Sequence, residues 1–101
     1  MSKRIYSKTE EEIELIRKNC LIVSDALALI AEILKPGMTS QELDQAAEEL
    51  ILDAGAKPAF KGYEGFPATL CISPNDVVVH GIPNEYEFVE GDIVSIDCGT
   101  Y

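Results

Sequence analysis

Positive charge is scarce in this sequence. Eight Lys and Arg residues stand against eighteen Asp and Glu, a formal net charge of −10. Phosphate binding needs a basic face, so neither a nucleic acid nor an anionic membrane is expected as a partner. Cysteine is sparse as well. Cys20, Cys71 and Cys98 are odd in number, widely spaced and form no Cys-x-x-Cys pair. That argues against a disulfide framework and for reduced thiols in a cytoplasmic protein. No long hydrophobic run is present. The most apolar stretch, residues 21–34, is too short to span a bilayer and carries Asp25 and Glu32. The polar first twelve residues lack the apolar core of a signal peptide. Also missing are a phosphate-binding glycine loop, a nucleotide fingerprint and a Ser-His-Asp order.

What remains is a globular composition, 47% hydrophobic and 26% charged over 101 residues. It suits one small domain, residues 1–101, with a modest core. Thr9 followed by Glu12 reads as a capping box at the start of a helix. Apolar residues then recur at Ile13, Ile16, Cys20, Val23, Leu27, Ile30 and Leu34. The alternating steps of three and four lay one stripe along a long amphipathic helix, stopped by Pro36-Gly37. Ala26, Leu29 and Ala31 widen the apolar surface, which suits a helix lying on a sheet better than an isolated zipper. Thr39 with Glu42 repeats the capping box. Leu43, Ala47, Leu50, Ile51 and Ala54 form the expected buried face of a second helix, closed by Gly55.

Beyond Lys57, glycine, proline and aromatics dominate up to Phe66-Pro67. A strand is expected over residues 68–73, a turn at Pro74-Asn75-Asp76, and a second strand or hairpin edge at Val77-Val78-Val79. After a turn at Glu90-Gly91-Asp92, residues 93–98 read as a strand. Ile93, Ser95 and Asp97 lie on one face, with Val94, Ile96 and Cys98 on the other. The fold class is α+β, two long helices packed on an antiparallel sheet. Gly99-Thr100-Tyr101 reads as a strand left in mid-course.

Two residues stand out chemically. His80 is the single histidine. It is either a strand-end imidazole satisfied by a backbone bond, or a functional group aimed by the Gly81-Ile82-Pro83 turn behind it. Asp97 sits in an otherwise apolar strand. It either caps the following turn or meets a cation, since a buried carboxylate is costly without one. Hard divalent ions favour such an oxygen. Asp92 reads as a turn residue. The glutamates at 10–12 and 48–49 read as solvated helix faces. Phe60, Tyr63 and Phe66 read as packing residues unless a pocket forms there.

Four blocks carry a more specific signal. They are Gly62-Tyr63-Glu64-Gly65-Phe66-Pro67, then Cys71-Ile72-Ser73 with Asn75, then Val79-His80-Gly81-Ile82-Pro83, and last Gly91-Asp92-Ile93-Val94-Ser95-Ile96-Asp97. In order and spacing they resemble the type I methionine aminopeptidases, over essentially the whole chain. The resemblance implies the N-terminal half of a pita-bread (creatinase/aminopeptidase-like) fold. It implies removal of the initiator methionine from nascent chains by metal-dependent peptide hydrolysis. Two divalent ions (cobalt, manganese, iron or zinc) are implied for the full enzyme, with Asp97 matching one ligand. His80 matches a substrate-contacting histidine near the scissile bond, and Tyr63, Phe66, Cys71 and Phe60 match the pocket for the methionine side chain. Phe60 and Phe66 stand where some bacterial relatives have cysteine and tyrosine. Asn75 and Val77 match positions whose carbonyls hold a monovalent ion in some relatives.

The implied partners are nascent polypeptide N-termini at the ribosome, with no nucleic acid and no membrane; the full enzyme is expected to be a cytoplasmic monomer. One aspartate cannot hold two metals, so these 101 residues are expected to be a fragment, inactive alone. A proline-directed aminopeptidase of the same fold and a non-catalytic pita-bread binding module are the alternatives.

Overall fold

A computed structural model describes residues 7–101 apart from residue 78. Helix α1 runs from Glu10 to Ile33 and helix α2 from Ser40 to Asp53. Both begin with complete capping boxes. The Thr9 and Thr39 hydroxyls accept the amides of Glu12 and Glu42, whose carboxylates accept the threonine amides in return. Helix α2 ends on a paired return, Gly55 N–H to the Leu52 carbonyl and Ala56 N–H to that of Ile51.

Strand β1 covers Leu70–Pro74 and strand β2 covers Val94–Cys98. They pair antiparallel, with Cys71 opposite Asp97 and Ile72 opposite Ile96. The α+β arrangement therefore holds. β1 begins at residue 70, two residues later than the pattern suggested, because residues 68 and 69 lie outside the ladder. Val77 and Val79 belong to no strand, and residue 78 lies outside the described residues. Their β-branched side chains favour extended backbone, but the chain there turns back toward β1.

The alternation along the strands sorts the molecule into two faces. Leu70 and Ile72 join Ile30, Leu43, Ala47 and Phe88 in the core, with Val94, Ile96 and Cys98 packed beside them. The helices cover this face, α1 against α2 and β2, and α2 against β1. Ser73, Ser95, Cys71 and Asp97 occupy the other face.

Helix α1 departs from expectation in what it buries. Only Ala26 and Ile30 are buried in it. Ile13, Ile16 and Leu27 are 49%, 47% and 38% exposed, and Cys20 is exposed too. The stripe exists, but only its C-terminal end meets the core. In α2, Leu43, Ala47 and Ile51 are buried as expected, whereas Leu50 is half-buried and Ala54 exposed. No helix among the described residues is long and apolar enough to cross a membrane.

Candidate functional site

The segment carrying His80 is pinned on both sides. After β1 the chain turns at Pro74–Val77, where the Val77 N–H donates to the Pro74 carbonyl at 3.1 Å. It then returns to the edge of β1. The Ile72 N–H donates to the Gly81 carbonyl at 2.9 Å, and the Gly81 N–H donates to Ser73 Oγ at 3.0 Å. This approach is so close that a Cβ on residue 81 would lie 2.0 Å from the Ile72 carbonyl oxygen. Only glycine fits there.

Downstream, the Ser40 hydroxyl accepts the Asn84 N–H at 2.7 Å, and the Gln41 N–H donates to the Asn84 carbonyl. Between these anchors Pro83 is buried. His80 itself takes a left-handed backbone, φ +57°. A non-glycine residue there carries about 1 kcal/mol or more of strain, persisting only where neighbours enforce it. The anchors at 81 and 84 do so.

Asp97 is placed by register. Pairing of Cys71 with Asp97 puts both on the face away from the helices. The Asp97 carboxylate lies within β2 and caps no turn. His80 and Asp97 meet at two adjoining hollows. The larger, about 470 Å³, is walled by the aromatic rings of Phe60, Tyr63 and Phe66 and by Cys71 and Ile82, with Glu64, His80 and Asp97 as its polar members. The smaller, about 120 Å³, adds Ser73 and Ser95. Among the described residues, no lysine or arginine lines either hollow. Among the described residues, no backbone group hydrogen-bonds the His80 imidazole.

The aromatic wall is fastened separately. Residues 57–59 pair with 99–101: the Lys57 and Tyr101 amides exchange bonds at 2.8 and 2.9 Å, and the Ala59 N–H donates to the Gly99 carbonyl at 2.9 Å. A 3₁₀ turn at Tyr63–Gly65 then carries the loop round. Lys61 forms an ion pair with Glu48 of α2 at 2.5 Å. Glu48 is therefore more than a solvated helix face.

The other wall depends on Asp44, which sequence reasoning missed. Its carboxylate accepts the Thr69 and Leu70 amides at 3.0 and 2.6 Å and so fixes where β1 begins. Partial burial pushes its pKa up, against the opposing pull of those two bonds. An acid beside Leu43 on the buried face of α2 was the available signal. Ser73, which receives Gly81, was also missed.

Asn75 and Asp92 form a tie between the two turns. Asn75 Nδ2 donates to Asp92 Oδ1 at 3.0 Å, and the Tyr86 hydroxyl and Val89 N–H donate to Asp92 Oδ2 at 2.8 and 2.9 Å. The Val89, Asn75 and Tyr86 donors hold the Asp92 carboxyl below its ordinary value. Asp92 is a turn residue, as its sequence context suggested. Burial pushes the Cys71 thiol up, with Asp97 and Asp44 adding repulsion. Cys98 is pushed up to about 11 for the same reasons, so both thiols are neutral near pH 7.

Among the described residues, no three His, Cys, Asp or Glu side chains group as a metal site. The donor set at the cavity fits a hard cation only in part. Asp97 offers one carboxylate, with no lysine or arginine beside it among the described lining residues, where a catalytic ion needs at least three protein ligands.

Comparison with known proteins bears on this geometry. The metallopeptidase family M24 profile matches residues 14–101. The methionine aminopeptidase of Clostridium perfringens is 55% identical over 96 residues, covering 95% of this chain and 39% of the relative. Methionine aminopeptidase 1 of Bacillus subtilis is 43% identical over 96 residues, with the same 95% and 39% coverage. The crystal structure of methionine aminopeptidase from Thermotoga maritima superposes with a TM-score of 0.93 at 40% identity, covering 96% of this chain and 39% of that one. The chain thus spans about 39% of the length of these relatives. The described architecture is an α+β piece of their pita-bread fold.

Proposed function

The chain belongs to metallopeptidase family M24, and from that premise we propose that it supplies one side of the active site of a methionine aminopeptidase. The supporting observation is convergence. Residues from four separate stretches of sequence, Phe60–Phe66, Cys71, His80 and Asp97, line one cavity of about 470 Å³. Three aromatic rings and a thiol make an apolar slot that suits an unbranched thioether side chain. The Cys71 sulfur, kept as a neutral thiol, adds a polarizable contact.

His80 sits where its imidazole can donate a hydrogen bond to the amide of the bond being cut. Its pinned backbone holds that donor in place before the substrate arrives. Asp97 provides one oxygen ligand for a pair of divalent ions. The described residues hold no group of three such donors that would complete the set. When bound, such ions supply Lewis-acid polarisation of the scissile carbonyl and a nucleophile usable near neutral pH. The 101 residues are accordingly an N-terminal catalytic-domain fragment without activity of their own. The substrates are nascent polypeptide N-termini in the cytoplasm, and the full enzyme acts as a monomer. The Asn75 and Val77 carbonyls accept no hydrogen bond among the described residues, which suits a monovalent ion held at that turn.

The test is hydrolysis of Met-Ala-Ser by the complete polypeptide that contains this chain, with Ala-Pro-Ser as competitor. Methionine release that disappears on Asp97→Asn is the expected result. Preferential cleavage of Ala-Pro-Ser would instead identify a proline-directed enzyme. Cleavage of neither by metal-loaded protein would leave a binding module and overturn the proposal.

A further inference from the structure

Among the described residues, a second hollow of about 500 Å³ lies between α1 and Thr100-Tyr101, and nothing in the structure shows what covers it. The site itself carries an inference that rests on the proposed aminopeptidase activity but reaches a residue outside the cavity lining. We propose that Gly99 is a specificity-determining residue, seating the Phe60 ring and thereby setting the width of the side-chain slot.

The geometry is steric. A Cβ on residue 99 would lie 3.0 Å from Phe60 Cε1, 3.3 Å from Cζ and 3.4 Å from the Ala59 Cβ. Optimal carbon–carbon separation is about 3.5–4.0 Å, so the ring occupies space that any side chain at 99 would claim. Backbone conformation does not demand this glycine. Gly37, Gly55, Gly62, Gly65 and Gly91 have positive φ, and Gly99 does not. Its requirement is steric, and the two tightest contacts are both to the ring.

The ring cannot simply retreat. Ala59, the preceding residue, is bonded to Gly99 itself at 2.9 Å, and Lys57 is bonded twice to Tyr101. This short ladder fixes the Phe60 backbone against the continuation of β2. A methyl group at 99 therefore pushes the ring by rotation, and the ring lines the slot. Phe60 and Gly99 form a matched pair, one large and one absent side chain, that fixes how much room a substrate side chain finds. Substituting both together can conserve that room.

The experiment uses the complete polypeptide containing this chain and two tripeptides differing by one methylene, Met-Ala-Ser and ethionine-Ala-Ser. In Gly99→Ala the ethionine-to-methionine ratio of kcat/KM is expected to fall about tenfold, the discrimination one methylene allows in an apolar pocket. The change resides in KM, as for loss of uniform binding. Phe60→Leu raises the ratio, and the double variant Gly99→Ala/Phe60→Leu returns it toward wild type.

Gly99 is near Asp97, so the opposing outcome is distinct. A fall in kcat with loss of bound metal, not rescued by Phe60→Leu, or an unchanged ratio, overturns the inference. A second arm does not depend on activity. Nuclear Overhauser contacts between the Phe60 ring and the Gly99 Hα protons should be present in wild type; their absence refutes the seat directly. If the protein cleaves neither peptide, the proposed function fails. Calorimetric binding of L-methioninamide against L-ethioninamide then decides the inference, with equal ratios in all variants, or no binding, overturning it.

Discussion

Gly81→Ala should damage this protein out of proportion to one added methyl group. The new Cβ would lie 2.0 Å from the Ile72 carbonyl oxygen, 2.7 Å from its carbon and 3.0 Å from the Ser73 Cα. All three atoms are backbone of β1, so no side chain can rotate away. The segment must lift off the strand edge, breaking the bonds from Ile72 N–H and to Ser73 Oγ. Steric overpacking costs about 1–3 kcal/mol. Each lost hydrogen bond adds about 1 kcal/mol. A total of about 3–5 kcal/mol is expected from these two sources together. The functional loss should be larger than the loss of stability suggests. His80 adjoins Gly81, and a misplacement of about 1 Å at a catalytic group can reduce turnover about 100-fold. Urea denaturation and Met-Ala-Ser hydrolysis by the complete polypeptide, both below the unfolding midpoint, separate the two effects. Stability within about 0.5 kcal/mol of wild type, the range of neutral surface changes, together with normal kcat, would refute the reasoning.

Further outcomes follow from other contacts. His80→Gly should be more stable than His80→Ala by about 1 kcal/mol, because glycine accepts the left-handed backbone that alanine does not. Both should lose about 100-fold or more in kcat, so wild-type turnover in either removes His80 from the chemistry. Asp44→Ala leaves the Thr69 and Leu70 amides without their acceptor and should cost about 2 kcal/mol in urea melts. Asp44→Asn keeps one acceptor oxygen and should cost less; equal losses would contradict the role of the bonds. The Asp92 carboxyl is depressed in the fold, so its stabilisation is present above the unfolded value of 3.8 and disappears as pH falls through the lower folded value. Asp92→Asn should therefore flatten the acid limb of the stability curve, and an unchanged limb would count against the Asn75–Asp92–Tyr86 tie. Iodoacetamide at pH 7.5 should label exposed Cys20 well before Cys98, whose thiol is pushed up to about 11. Mass spectrometry showing Cys98 modified first would disprove that order.

What could be read from the residues was what local physics decides. Both helix starts were legible because a capping box is closed within four residues. The faces of β2 were legible because alternation survives in the sequence. The buried length of α1 was not legible. Periodicity shows that Ile13, Ile16 and Leu27 share a stripe, but not whether anything covers it, and here they stay exposed. Val77 and Val79 failed as strand residues because Gly81 docks on β1 by tertiary hydrogen bonds that propensity cannot foresee. Asp44 was invisible for a related reason. Its partners, Thr69 and Leu70, lie 25 and 26 residues away. Composition and position alone left His80 and Asp97 each with two readings. Four spaced blocks pointed to a shared site; the β1–β2 register places Asp97, and the docking of Gly81 on β1 places His80, along one cavity.

That register also explains how so small a sheet can serve stability and chemistry together. Along β1, Leu70 and Ile72 enter the core under the helices, while Cys71 and Ser73 face the site. Along β2, Val94, Ile96 and Cys98 pack inward, while Ser95 and Asp97 face out with them. Neighbouring residues thus answer to different demands, one to packing and the next to the cavity. A slip of one residue would exchange the two sets, burying Asp97 beneath the helices and turning Ile96 toward the slot. The Cys71–Asp97 pairing must therefore be held firmly. Asp44 holds the start of β1, the Asn75–Ile93 and Asn75–Asp92 bonds hold its far end to β2, and the 57–59 ladder continues β2 beyond Cys98. The polar ties lie at the two ends of the strand pair, beside the apolar packing of Leu70, Cys98 and Val94, so that polar and apolar contacts fix the same register.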